Sequence, residues 1–230
     1  MRQIVLDTET TGLEAADGHR IIELGAIELA GRRLSERRLH RYCNPQRDSD
    51  PAALAVHGLT RDFLSDKPLF AEIVPELIDF IQGAEVIIHN APFDLSFLDA
   101  EFARLDRPAF AEHCEKVTDS LRLARELHPG KRNSLDALCE RYSISNRHRT
   151  LHGALLDAGL LAEVYLAMTR GQDSLVMQLS PPLPSEEALL ARQEALIVIR
   201  ADAQELAAHE AVLDSIEKEC RGTAVWRTDS

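Results

Sequence analysis

Three features of the 230-residue sequence predict an α/β fold, a mixed sheet flanked by helices, with a C-terminal tail appended. Three apolar stretches before residue 45 read as an antiparallel meander. An amphipathic helix and a short, wholly apolar strand follow, and the order strand, helix, strand implies a crossover. A proline-rich joint then introduces a segment whose one narrow apolar stripe cannot make a core of its own.

The first stretch, Ile4-Val5-Leu6-Asp7-Thr8-Glu9-Thr10-Thr11-Gly12, is a buried strand ending in polar residues. Alternate strand residues share a face, so Asp7 and Glu9 lie side by side before Thr11-Gly12 turns the chain. Arg20 to Leu29 and about Leu34 to Tyr42 form the next two strands, with Gly31 in the turn. After Pro68, the apolar residues Phe70, Ile73, Val74, Leu77, Ile78 and Ile81 recur at helical spacing. Glu85 to His89 is a short strand apolar enough for burial on both faces.

Asn90-Ala91-Pro92 breaks that strand and opens a helix over about Phe93 to Leu105, with Asp94 in its first turn. The helix dipole favours a carboxylate there, so capping accounts for Asp94 nearly as well as catalysis does. A further helix follows Val117-Thr118-Asp119-Ser120, runs to about Leu127 and ends at Pro129-Gly130; another spans Ser134-Leu135 to about Tyr142. The last helix of the body follows His152-Gly153, carries Leu155, Leu156, Leu160, Val164 and Leu166, and places Asp157 in its opening turns. We expect a body over 1–170, a linker over 171–185 that includes Ser180-Pro181-Pro182-Leu183-Pro184-Ser185, and a tail over 186–230. A tail helix from about Asp202 to Lys218 lines up Leu206, Leu213 and Ile216, while Trp226 stands near the end, poorly placed in water.

Composition excludes several classes. The net charge of -12 argues against broad electrostatic capture of nucleic acid, so any such contact is local. Two basic groups exist, Arg32 to Arg47 and Lys131 to Arg149, and each reads equally as a solvated face. The four cysteines show no C-x-x-C pair, which suggests neither a zinc site nor a disulfide framework and fits a reducing cytoplasm. No leader opens the chain, and no apolar run reaches the ~20 residues that cross a bilayer.

The chemistry resides in Asp7, Glu9, Asp94 and Asp157, with His152 five residues ahead of the last. Five residues turn a helix by ~500°, so His152 reaches the acids from a loop before the helix rather than from the helix itself. A buried cluster of carboxylates is strongly unfavourable without a cation, and Mg²⁺ or Mn²⁺ prefers such oxygens. Acids with a neighbouring imidazole suggest metal-assisted hydrolysis of a phosphoester.

Asp7-x-Glu9, Asn90-x-x-Phe93-Asp94 and His152-x-x-x-x-Asp157 resemble, in order, the three exonuclease motifs of the DEDD superfamily in its histidine-bearing branch. Gln3 to Gly12, Val56-His57-Gly58-Leu59, Lys131 to Cys139 and Leu151 to Met168 further resemble the family of epsilon, or proofreading, subunits of bacterial DNA polymerase III, and that likeness extends to Val225-Trp226-Arg227. The resemblance implies a ribonuclease H-like fold and removal of single nucleotides from frayed, single-stranded 3′ DNA ends. It implies two divalent ions, Mg²⁺ or Mn²⁺, held by Asp7, Glu9, Asp157 and Asp94, with His152 as general base. Thr8, Thr10, His57, Asn90 and Phe93 would line the nucleotide pocket with the acids, although His57 alone reads as a structural histidine.

The implied partners are the polymerase subunit alpha, the sliding clamp beta and a small theta-like subunit. Gln172-Asp173-Ser174-Leu175-Val176-Met177 is similar to a clamp-binding motif, with Met177 where an aromatic is usual. The tail, with Leu206, Leu213 and Trp226, would bind alpha. Relatives tend to carry a glutamate near Ala52, a substrate contact absent here. Two other functions fit part of this pattern: an exonuclease acting on RNA, which would not require the tail, and a non-catalytic bridge between clamp and polymerase, which would not require the intact acids and His152.

Overall fold

A computed structural model describes residues 2–146, 151–170, 200–220 and 222–227. Two compact units, Met1–Val176 and Met177–Ser230, are each taken by themselves.

In the first unit five strands form one sheet: β1 (Arg2–Thr10), β2 (Ile21–Ala30), β3 (Arg33–Tyr42), β4 (Glu85–Ile88) and β5 (Lys116–Asp119), in the order β3-β2-β1-β4-β5. The first three are antiparallel neighbours, while β4 pairs parallel with both β1 and β5. The sheet is therefore mixed, as the meander and crossover require. The helices are α1 (Pro51–His57), α2 (Arg61–Leu64), α3 (Phe70–Ile81), α4 (Ala91–Ala103), α5 (Ser120–Leu127), α6 (Leu135–Tyr142) and α7 (Ala154–Met168).

Strand alternation divides the core in two. Ile4 and Leu6 of β1 pack with Phe70, Leu77, Phe97 and Phe102 of α3 and α4. Val5, between them, packs on the opposite face with Ala158, Leu161 and Ala162 of α7. Continuing that period along β1, Asp7 and Glu9 face α7 and Thr8 faces α4. Burying each of these aliphatic side chains contributes roughly 1.5–3 kcal/mol.

β3 is an edge strand whose one buried residue is Leu39. Its arginines answer the two readings of the first basic group. Arg37 bonds Glu28 at 3.1 Å and Arg41 bonds Glu76 at 2.6 Å, so these two charges are paired on an edge that charge protects from further strand addition. None of the four cysteines is disulfide-bonded. No helix among the described residues is long and apolar enough to cross a membrane.

In the second unit, α8 (Ala203–Cys220) is followed by a 3-10 turn, Val225–Arg227. Leu213 is buried, whereas Leu206 and Val212 are more than half exposed and Trp226 is 76% exposed. Arg227 joins the turn to the helix through Glu210, Asp214 and Glu217 at 2.5, 2.7 and 2.9 Å. Gln172, Ser174, Leu175 and Met177 lie outside the described residues.

Candidate active site

The polar end of β1 is where three separate parts of the chain meet. β1 pairs Asp7 with Gly25 of β2, and the register slips between Glu9 and Thr10 as the strand leaves the sheet. Gly25 is what admits α7: a Cβ there would overlap the Ala154 carbonyl and the Leu155 nitrogen. The first turn of α7 can therefore lie directly against the strand pair, and this turn carries Asp157, which is 3% exposed.

One ligand atom from each of Glu9, His152 and Asp157 falls within 4.8 Å of the other two. His152 lies two residues ahead of α7; its Nδ1 is 3.3 Å from Asp157 Oδ2, and its side chain is 43% exposed. Its backbone N–H donates to Val56 O at 3.1 Å, so the end of α1 holds this loop. Asp7 shares the strand face of Glu9 one alternation back.

Asp94 is placed differently. It approaches from the α4 side, 3% exposed, and accepts the Thr8 hydroxyl at 2.6 Å. Burial pushes its carboxyl up to about 7 against the lowering effect of the Thr8 bond, and the charge of Asp119 adds to the upward push. Glu9 thus reaches the cluster from one face of β1, which Asp7 shares by alternation, while Asp94 is tied to Thr8 between them. Asn90, just ahead of α4, is left-handed at φ 65°, and its N–H donates to Asp119 Oδ1 at 3.1 Å.

Beside Glu9 is a hollow of about 300 Å³. Of the residues expected at a nucleotide, Thr8, Glu9, Thr10, His57 and Phe93 line it, and Asp7, Asn90 and Asp157 do not. The His57 ring accepts the Leu59 N–H at Nδ1, 2.9 Å, which puts its proton on Nε2. That nitrogen is buried with no hydrogen-bond partner, and burial lowers the pKa of the ring. A neutral N–H donor thus remains unspent in a residue that lines the hollow.

Gly12, Leu13, Asp50, Ala53 and Val56 also line it and escaped the sequence reading. The signal for the last three was present: Asp50-Pro51 has the N-cap and N1 residues of a helix start, and Gly58, at φ 72°, caps its end.

The donor set fits a hard divalent cation. Glu9 and Asp157 offer carboxylate oxygens at ligand spacing, Asp157 is almost wholly buried, and Asp94 sits in surroundings that resist its charge unless a cation compensates.

An exonuclease family model matches residues 4–165, a span that contains every residue of this cluster. The chain is similar to DNA polymerase III subunit epsilon of Salmonella typhimurium, 51% identical over 238 residues that cover 98% of this chain and 97% of that one. It is 50% identical to the subunit of that name from Escherichia coli K12 with the same coverage, and 42% identical to that of Rickettsia felis over 95% of this chain and 98% of the other. Its fold is similar to that of exonuclease X in complex with 5′ overhanging duplex DNA, at a TM-score of 0.59 and 23% identity, covering 74% and 93% of the two chains. It is also similar to the nuclease domain of 3′hExo, a DEDDh family member bound to rAMP, at 0.63 and 18% with 74% and 92% coverage.

Proposed function

We propose, since this chain belongs to the exonuclease family and within it to the epsilon subunits of DNA polymerase III, that it is the 3′-to-5′ exonuclease that proofreads primer ends in a bacterial replicative polymerase. It shortens DNA by hydrolysis and releases 5′-mononucleotides. The observation that carries this reading is the convergence of Glu9, His152 and Asp157 within 4.8 Å beside a nucleotide-sized hollow.

The family implies divalent metal ions, and our reading is that Asp7, Glu9, Asp157 and Asp94 hold two of them, Mg²⁺ or Mn²⁺. When bound, such ions supply Lewis acidity, polarising the phosphoryl oxygens and making water acidic enough to attack. His152 serves as general base. With Nδ1 beside Asp157, its Nε2 is left to take the proton of the attacking water. Phe93 offers a ring for the terminal base, and Thr8, Thr10, Asn90 and His57 position the nucleotide. Mismatched ends are selected because an unpaired terminus costs less to unstack and deliver into the hollow.

The partners follow from the same reading. The tail binds the polymerase subunit alpha, supported by its exposed Trp226, Leu206 and Val212. Residues 172–177 contact the sliding clamp beta. A small theta-like subunit would find a seat on the nuclease body in a second hollow of about 610 Å³ lined by Ile27, Tyr42, Leu155 and Leu156.

The test is a time course on matched and mismatched 3′ ends with Mg²⁺ and an RNA control. We expect the mismatched DNA end to be lost fastest and Asp7→Ala to slow its loss by about a thousandfold or more. Preference for RNA would overturn the proofreading assignment, and full activity of Asp7→Ala would overturn the site.

A further inference from the structure

Two walls of the 300 Å³ hollow come from distant parts of the chain: the turn Thr10 to Leu13 that leaves β1, and the start of α1 at Asp50. His19 lies behind both. It is 8% exposed and does not line the hollow.

Its ring is engaged at both nitrogens. The Arg20 N–H donates to Thr11 Oγ1 at 3.0 Å, and the same hydroxyl is hydrogen-bonded to His19 Nδ1, also at 3.0 Å. Nε2 lies 3.4 Å from Asp50 Oδ2. The Asp50 N–H returns to Thr11 O at 2.8 Å, closing a loop of contacts through turn, imidazole and helix start. Gly12 completes the fit, because a Cβ there would overlap the His19 ring.

We propose that His19 is a positioning residue of the nucleotide pocket, setting the distance between the β1 turn and α1 and hence the grip on the terminal nucleotide. This rests on the exonuclease reading above. The α1 helix carries Ala52, Ala53, Val56 and His57 into the hollow, so a shift at its first residue moves four lining side chains together. The His19 contacts grip the N-terminal end of α1, whereas His152 hangs from Val56 near the other end. Losing His19 therefore weakens binding before it disturbs the base.

The experiment compares His19→Ala, Gly12→Ala and the double variant on a mismatched DNA primer in the full-length protein, with amide hydrogen exchange read alongside. For His19→Ala we expect KM to rise about tenfold with kcat within about threefold, since binding rather than chemistry is lost. Gly12→Ala should do the same by displacing the ring. The double variant should be no worse than His19→Ala, because the vacated space accepts the new methyl. His19→Gln, which keeps an amide donor and an acceptor, should recover part of the KM, and it serves as the test if His19→Ala fails to fold. Exchange should quicken at the Leu54 and Gly58 amides of α1 and stay unchanged in α7.

An unchanged KM, a loss confined to kcat, additive losses in the double variant, or exchange no faster in α1 than in α7 would each overturn the role of His19. A wild-type protein that leaves DNA ends intact overturns the exonuclease reading instead, and the exchange data still decide whether His19 positions α1.

Discussion

The Thr8 hydroxyl donates to Asp94 Oδ1 at 2.6 Å, joining the strand that carries Asp7 and Glu9 to the helix that brings the fourth acid. Thr8→Val keeps the shape and removes the donor. A buried bond to a carboxylate is worth about 1–3 kcal/mol, and denaturant unfolding of the metal-free protein should register a loss of this size. The bond also favours the ionised acid, so half-maximal activity should require more Mg²⁺ than in the wild type.

Gly25→Ala should separate strand from helix. The added Cβ meets the backbone of Ala154 and Leu155, which can yield only if α7 moves and takes Asp157 with it. We expect about a hundredfold loss of exonuclease rate with secondary structure by circular dichroism retained, since displacements near 1 Å at a reacting centre cost that much.

Asp119 tests how Asn90 is held in its left-handed conformation. Its Oδ1 accepts the Asn90 N–H and also the Leu121 N–H that caps α5, at 3.1 and 2.9 Å. Asp119→Asn retains an acceptor and should stay near wild-type stability. Asp119→Ala should lose about 1 kcal/mol as a missing cap and a larger share of activity, through the freed start of α4.

Stability should fall with acid below neutrality. Burial lowers the pKa of His57 and of His89, and the Nε2 of each is buried without a hydrogen bond. Their neutral forms are favoured in the folded chain. The stability this represents is complete above the unfolded-state value of about 6.5 and is lost as pH falls from there through the lower folded-state values. Denaturant midpoints taken from pH 8 to pH 5 should decline, and His89→Leu should flatten the lower part of that curve.

Arg227 gathers Glu210, Asp214 and Glu217, one helical turn apart in succession, and so holds the turn that presents Trp226 against α8. Arg227→Ala should weaken binding of the polymerase subunit in a pull-down titration while leaving primer degradation by the free protein unchanged. Trp226→Ala should weaken it further.

The legible parts of the fold are those with strong local period. β1 to β4 and α3 stand out through apolar runs or alternation in the strands and spacing of three and four in the helix. β5 did not: Lys116–Asp119 is four residues of mixed character, made a strand by its pairing with β4. α1 and α2, seven and four residues long, are too short for a helical period to register. At the site, alternation along β1 put Asp7 and Glu9 together, but nothing local reveals that Gly25 must be bare or that His19 stands behind Asp50.

By itself the sequence determined the three-strand meander and the crossover through α3 to β4, the shared face of Asp7 and Glu9, and the motifs that mark an exonuclease. These follow from backbone geometry, which imposes its periods residue by residue wherever the chain goes. Only the tertiary structure decided that Asp157 meets Glu9 while Asp94 meets Thr8, and that α1 walls the hollow. Such contacts depend on how closely distant backbones can approach, and that is set by packing across the sheet rather than by any neighbour in the chain.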